Sequence, residues 1–433
     1  LPAAQLSGTL PALDGSALTG VASTENIRTN TNATFLQNVN VSGSTTTGTT
    51  IVGGGVTISE SGIEASGIGI TVANINGGAI GGRRNLIING GMNVNQYGSS
   101  STTTMGKKIF DRWHPNSNGG TITQSKETIT SGGAYDAGHR SALRLTNTSA
   151  AGSGSGTYVE VYYKWEAQDI AKSGWNYKSS SSHITLSFWL RSSVAQTYSC
   201  TLQTRDGTSY FHPFTAVISS ANTWTKITKT FAGNSNLTIN DDTGDGLMMW
   251  VNPMQGSNFH NSSWNTDGWF VASGSYMFAG TTDTTWGTTA GATWDITGFQ
   301  LEVGSQATPF EHRSFGEELV LCQRYYYRAH VGGDGLERPI GLGIYETDSL
   351  VTTTLRFHDM RANPTLIADS GTDKFIIRRQ SGSDGFNSFT LRYSRVNTAE
   401  IVGSGTMSGT AGVAGLLRSA GSGVAFIDFN AEL

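Results

Sequence analysis

Ile184-Thr185-Leu186-Ser187-Phe188-Trp189-Leu190-Arg191 alternates without a break. Ile184, Leu186, Phe188 and Leu190 fall on one face, and Thr185, Ser187, Trp189 and Arg191 on the other. Strand side chains point to opposite faces in turn, so this period of two predicts a strand with one face in a core. Outward from it, Tyr198 to Gln203 alternates as well, and Arg205-Asp206-Gly207-Thr208 supplies a turn. Trp224 to Phe231 is another alternating strand. Leu247-Met248-Met249-Trp250-Val251 is a continuous apolar run, suited to a strand buried on both faces. Strands at this spacing, with no helical pattern between them, predict a β-sandwich over 86–313.

Composition agrees. Gly supplies 56 of 433 residues, against a usual share of about 7 %. Charged residues are 14 %, against about a quarter. Short strands and many turns fit both figures, and the chain is long enough for two to four units. Disorder fails after residue 110, where aromatic and β-branched residues are frequent. A formal charge of −4 gives no electrostatic case for nucleic acid. Arg83-Arg84 and Lys107-Lys108 are dense basic pairs, both read as solvated surface. No apolar run approaches a membrane span. Cys200 and Cys322 are the only cysteines. They are read as buried free thiols, a single bridge between them being the alternative.

The first 85 residues hold one aromatic, Phe35, and no Trp. Leu1-Pro2-Ala3-Ala4-Gln5-Leu6-Ser7-Gly8 is echoed by Leu10-Pro11-Ala12-Leu13-Asp14-Gly15, and alternating Val and Ile follow from Val39 to Ile75. Pro fixes an extended or turn backbone and Gly permits the next turn. One chain alone exposes an apolar edge along this length. Three chains wound together bury it, so 1–85 predicts an intertwined β shaft and a homotrimer. The opening residues read as the inside of a repeat, so an upstream part is expected.

Beyond the sandwich, Ser314-Phe315-Gly316-Glu317 matches a capping box. It predicts a short connecting helix over 314–330, with Leu319, Cys322 and Tyr326 on one face. Strands are expected at Leu350 to Phe357, Lys374 to Arg379, Ser388 to Val396 and Val424 to Phe429. Arg361-Ala362-Asn363-Pro364-Thr365 reads as a turn. The 331–433 segment therefore predicts a small C-terminal β-sandwich. The fold class is all-β: an intertwined shaft, a jelly-roll sandwich, one short helix and a second small sandwich.

Several segments carry a resemblance. Leu186 to Ser193, Asn222-Thr223-Trp224 and Phe231 resemble jelly-roll carbohydrate-binding modules. Asn85-Leu86-Ile87-Ile88-Asn89-Gly90-Gly91-Met92 with Phe110-Asp111-Arg112-Trp113 looks like the opening of a phage tail-fibre head domain. Phe299 to Ser305, with Thr308-Pro309-Phe310-Glu311-His312-Arg313, looks like its closing strand. Glu317-Glu318-Leu319, Leu321 to Tyr326 and the end Phe426 to Leu433 also resemble such proteins. The resemblance implies a virion component, in the tail and assembled in the bacterial cytoplasm. It would attach to a bacterial surface polysaccharide or lipopolysaccharide, beside other tail proteins, without membrane insertion. A depolymerase tailspike and a purely structural fibre section are the alternatives.

Sugar sites pair flat aromatic faces with polar side chains. Trp264, Trp269 and Trp286 lie among Asn, Thr, Gly and Asp, and Trp175 and Tyr177 among Lys, Ser and Asn. These five are the candidate binding platform. Trp113 and Trp224 occupy positions that resemble structural ones. Asn240-Asp241-Asp242-Thr243-Gly244-Asp245-Gly246 has the oxygens for Ca²⁺ but breaks the EF-hand pattern at Thr243 and Asn252. It reads as a solvated turn, and no cofactor is expected. No zinc spacing or nucleophile motif is present. Glu160, Glu166, Asp169 and Asp267 are carboxylates that a depolymerase would use, and none is singled out. The chain is therefore expected to bind without catalysing.

Overall fold

The computed structural model describes residues 83–433, except 281–282, 334, 381, 406 and 422–423. Apart from its last three residues, the predicted shaft lies outside the described residues. In chain order the first strands are β1 (Ser101–Thr102), β2 (His114–Asn118), β3 (Thr121–Thr128), β4 (Ser141–Ser149), β5 (Tyr158–Glu166), β6 (His183–Ser192) and β7 (Thr197–Thr204). They continue with β8 (Tyr210–Val217), β9 (Thr225–Ala232), β10 (Asp245–Gln255), β11 (His260–Asn261), β12 (Phe270–Val271), β13 (Phe278–Ala279) and β14 (Thr293–Val303). One sheet runs β1-β3-β4-β14-β6-β9 and the other β12-β8-β7-β10-β5-β2. The chain passes back and forth between them: β4, then β5 across, β6 back, β7 and β8 across, β9 back, β10 across, β14 back. This is jelly-roll connectivity.

The alternation read from sequence sets which face is buried. On β6, Ile184, Leu186, Phe188 and Leu190 are all in the core. Phe188 lies flat on Phe299 of β14, with centroids 4.5 Å apart and planes 3° apart. Trp113 packs on the same Phe299 at 4.5 Å and on Tyr163 at 5.1 Å. Fully burying one such side chain is worth about 1.5–3 kcal/mol. Cys200 and Cys322 are free and buried in separate clusters.

The helix spans Phe315–Gln323, and its capping box forms as the sequence predicts. The Ser314 hydroxyl accepts from the Glu317 N–H, and the Glu317 carboxylate accepts from the Ser314 N–H at 2.9 Å. Cys322 packs with Ile88, Val94 and Tyr325. The helix is shorter than expected, however. Tyr326 leaves its face and opens β15 (Tyr326–Gly332). Tyr325-Tyr326-Tyr327 is a strand-forming run, and a partner strand at residues 425–430 satisfies its backbone. Pairing overrides the 3-4 spacing.

The remaining strands are β16 (Arg338–Tyr345), β17 (Leu350–Arg356), β18 (Thr365–Ala368), β19 (Phe375–Arg379), β20 (Gly382–Phe386), β21 (Phe389–Arg395), β22 (Thr398–Ser404), β23 (Ala414–Ser419) and β24 (Ala425–Asn430). They form a sheet β15-β24-β18 and a sheet β20-β19-β23-β16-β17-β22-β21. Tyr345, Phe375, Phe386, Phe389, Ile427 and Phe429 share one core between them.

The segments that carried the tail-fibre resemblance converge in space. The Asn85 amide donates to the Phe299 carbonyl at 3.0 Å and accepts from the Ile87 and Leu301 N–H groups. The Asn89 amide donates to the Val94 and Asp111 carbonyls, and the Trp113 indole donates to the Asn89 carbonyl at 2.9 Å. Arg112 is fully buried, pairs with Glu432 and donates to the Lys164 carbonyl at 2.6 Å. Lys108 reaches the same Glu432 at 2.9 Å. Arg324 grips Glu166 with two hydrogen bonds of 2.6 and 2.7 Å. Lys108, read as solvated from sequence, is therefore buried: its ammonium stands over the Tyr97 ring and pairs with Glu432. These contacts explain why the residue types are so particular. They form one polar hub joining sandwich, helix and C-terminal sheets.

Candidate glycan-binding face

β5 decides the site. Val159, Val161, Tyr163 and Trp165 enter the core. Alternation then sends Tyr158, Glu160, Tyr162 and Lys164 to the outer face of the second sheet. Its neighbours add to that face in register. His114 of β2 pairs with Tyr162, Trp250 of β10 pairs with Tyr162 on the other side, and Thr201 of β7 pairs with Trp250. The result is a row of half-buried rings across three adjacent strands. His114 and Tyr162 centroids are 4.7 Å apart with planes 13° apart, and Tyr162 and Trp250 are 5.1 Å apart.

Polar groups flank the row. Glu160 accepts from the Asn116 amide at 3.1 Å and the Gln255 amide at 3.3 Å. Burial pushes the Glu160 carboxyl up to about 7. Near neutral pH it therefore both donates and accepts, as a hydroxyl-rich ligand requires. The Trp250 indole approaches the Gln203 amide oxygen at 3.4 Å. Phe259 stands edge-on to Tyr158 at 5.7 Å, while β12 continues the sheet beside β8 and β13 packs against β7 and β8. The Asn252 amide, the Thr201 hydroxyl and both His260 ring nitrogens are buried without a protein partner. A buried polar group left alone costs about 1–3 kcal/mol, so this side of the sheet has unused hydrogen-bonding capacity.

The five residues expected from sequence do not form one platform. Trp264 is half-buried at the far end of this same face, stacked on Phe270 at 5.0 Å and 13°. Trp269 is half-buried but anchored: its indole donates to the Ala232 carbonyl at 2.8 Å, and its ring meets His212 at 5.1 Å. Trp175 and Trp286 are core residues, and Trp286 is wholly inaccessible. Tyr177 rests edge-on to Trp175 and donates to the Ile239 carbonyl at 3.2 Å. In the loops of Trp175 and Trp286 the large ring is the main apolar surface, so folding turns it inward. The rings that were missed are His114, Tyr158, Tyr162 and Trp250. Their signal was present in Tyr158-Val159-Glu160-Val161-Tyr162-Tyr163-Lys164-Trp165, whose alternation separates core rings from outer ones.

The suspected Ca²⁺ loop spends its oxygens locally. Asp241 pairs with Lys172 at 2.6 Å, Asp242 caps the Gly244 N–H at 2.8 Å, and Asp245 meets Lys164 at 3.3 Å and Arg205 at 3.1 Å. Among the described residues, no group of three or more His, Cys, Asp or Glu is placed to hold a metal. The four carboxylates considered for catalysis are dispersed. Glu166 is bound by Arg324, and Asp267 is exposed and pairs with Lys229 at 3.0 Å. Glu160 and Glu166 lie six residues apart on one strand, about 20 Å.

No protein-family model matches the chain, and no curated protein matches it. Among solved structures it is similar to the enzymatically active domain of tailspike protein 4 from bacteriophage CBA120, at 9 % identity and a TM-score of 0.28. That match covers 51 % of this chain and 21 % of the tailspike, so the chain spans about a fifth of that relative. A sugar-binding protein from Bacteroides thetaiotaomicron, itself described as putative, matches at 12 % identity over 51 % of this chain and 99 % of its own, with a TM-score of 0.27. The CBM22-1 xylan-binding domain of Paenibacillus barcinonensis Xyn10C matches at 10 % identity over 48 % and 94 %, with a TM-score of 0.23. At these scores the likenesses carry no argument about function, and the jelly-roll assignment stands on the sheet connectivity above.

Proposed function

We propose that the outer face of the β12-β8-β7-β10-β5-β2 sheet binds a glycan chain. The protein would thereby serve as a phage tail-fibre component that attaches the virion to a bacterial surface polysaccharide or lipopolysaccharide. The observation that carries this reading is the His114–Tyr162–Trp250 row with Asn116, Glu160 and Gln255 beside it. Ring spacing set by neighbouring strands, near 5 Å, is on the scale of one sugar unit, so successive sugars would meet successive rings. The tail-fibre part of the reading, the homotrimer and the company of other tail proteins rest on the sequence resemblance and on the composition of 1–85. Three weak sites on one fibre would act by avidity.

The proposed action is attachment without cleavage. Glycoside hydrolysis needs two carboxyls about 5–9.5 Å apart. On this face Glu160 stands near one end, and Asp245, tied to two cations, stands about 20 Å away along the strands. The test is adsorption of purified protein to host cells and to their extracted polysaccharide. The Tyr162→Ala/Trp250→Ala double variant should retain its circular dichroism and lose at least tenfold in binding. Undiminished adsorption by the folded variant would remove the face from the account. Release of new reducing ends from the polysaccharide would restore the depolymerase reading.

A further inference from the structure

The ring row does not stop at β2. Beyond Tyr162 and Asn116 the surface continues into a cavity of about 200 Å³ lined by Gly106, Lys107, Lys108, His114, Pro115, Asn116 and Tyr162. The same Gly106-Lys107-Lys108 turn borders a second cavity of about 330 Å³, which also holds Tyr97, Tyr326, Arg328 and Asp428. Charge at this end departs from that of the chain, whose formal sum is −4. Three cations, Lys107, Lys108 and Arg112, stand around two carboxylates, Glu432 and Asp111. Glu432 is held by Lys108 and Arg112 together. Asp111 is buried and pushed up to about 7, so it is only part charged at neutral pH. His114 is held neutral, its value lowered to about 4 by burial and by Lys108. Its Nε2 takes a hydrogen bond from the Lys108 ammonium at 3.1 Å. In the second cavity Arg328 is neutralised by Asp428 through bonds of 2.9 and 2.8 Å. Lys107 is exposed and has no carboxylate partner among the described residues. It is the cation common to both cavities that remains available.

Building on the glycan reading of this face, we infer that the ligand is acidic. A carboxylate-bearing sugar sits in the cavity beside β2, its anionic group on the Lys107 ammonium, while its neighbour along the chain meets the His114–Tyr162 rings. Lys108 and Arg112 do not contact the anion in this arrangement. Two charges share the one carboxylate of Glu432, so the pair leaves a net positive potential behind the cavity, which burial keeps from being screened by salt. A neutral sugar would fit the rings equally well but would leave the Lys107 charge unmatched.

The test is an array carrying polygalacturonate, alginate and polysialic acid, each beside its carboxyl-reduced neutral counterpart. It is probed with the full chain and with Lys107→Gln and Trp250→Ala variants. The expected result is preference for the acidic member of at least one pair. Lys107→Gln should lower that binding about three- to tenfold, the effect of one charge-assisted contact, and leave any binding to the reduced form unchanged. Rising salt should weaken the acidic complex in the native protein more than in the Lys107→Gln variant. Equal binding to both members of a pair, abolished by Trp250→Ala, overturns the acidic inference and leaves the glycan site standing. Absence of binding to every member, with adsorption to host cells indifferent to Trp250→Ala, removes the site and the inference together.

Discussion

Glu432→Gln should be the most damaging isosteric change in the hub. In the native protein the Glu432 carboxylate is buried between Lys108 at 2.9 Å and the fully buried Arg112. Those two cations hold its carboxyl well below the usual range despite burial. The amide keeps the shape and removes the charge, so two buried cations lose their counter-ion. Breaking a buried pair from one side costs about 3–5 kcal/mol, about a fifth or more of the whole stability of an ordinary domain. At about 2–4 °C per kcal/mol, the melting temperature should fall by about 6–20 °C. A control is Lys172→Met, which breaks the exposed Lys172–Asp241 pair and should cost under about 1 kcal/mol. Urea titration at pH 7 reads both. The pH course is a second reading. A carboxyl with a depressed folded-state pKa contributes stability above its unfolded value, and that contribution is lost as pH falls through the folded value. The difference between native protein and Glu432→Gln should therefore be full at pH 7 and shrink in acid. A cost below 1 kcal/mol at pH 7, or one that grows in acid, would refute the account of the hub.

Glu160→Gln probes the opposite sign. Its carboxyl is raised to about 7, so its contribution is complete below the unfolded value and disappears as pH rises through 7. The variant should match the native protein near pH 4 and be more stable above pH 7, by at most about 3 kcal/mol, in a denaturation series across that range. Gly90→Ala should fail to fold or lose several degrees of melting temperature, because a Cβ there would lie 2.1 Å from the Phe299 carbonyl oxygen. Ser314→Ala removes the helix cap and should cost about 1 kcal/mol by urea titration without affecting glycan binding.

The strands of the sandwich were legible wherever one face is buried and the other wet, as in Ile184 to Arg191 and Trp224 to Phe231. In the C-terminal unit the same holds for β17, β19, β21 and β24. β16 was not legible. Arg338-Pro339-Ile340-Gly341-Leu342-Gly343 carries the residues that mark turns, and the strand survives through pairing with β23 and a register shift between Pro339 and Gly341. β15 was misread because Leu319, Cys322 and Tyr326 share helical spacing, while its partner β24 lies a hundred residues away in sequence. The candidate site was legible only in kind. Aromatic and polar residues were sought in polar loops, where Trp175 and Trp286 in fact turn inward. The outer row arises from β2, β5 and β10, three strands distant in sequence, and only their register brings His114, Tyr162 and Trp250 together. The capping box and the free thiols needed no long-range information and were read directly.

In the proposed complex a glycan lies along the His114–Tyr162–Trp250 row. Fluorine NMR of the protein labelled with 5-fluorotryptophan, titrated with oligosaccharides from the host surface polysaccharide, tests it residue by residue. Each of the ten Trp, assigned by single Trp→Phe replacements, reports on its own surroundings. Trp250 should shift on saturation while buried Trp113, Trp165, Trp286 and Trp294 stay in place. A binding isotherm that leaves Trp250 unmoved, with the response at another indole, would contradict this placement.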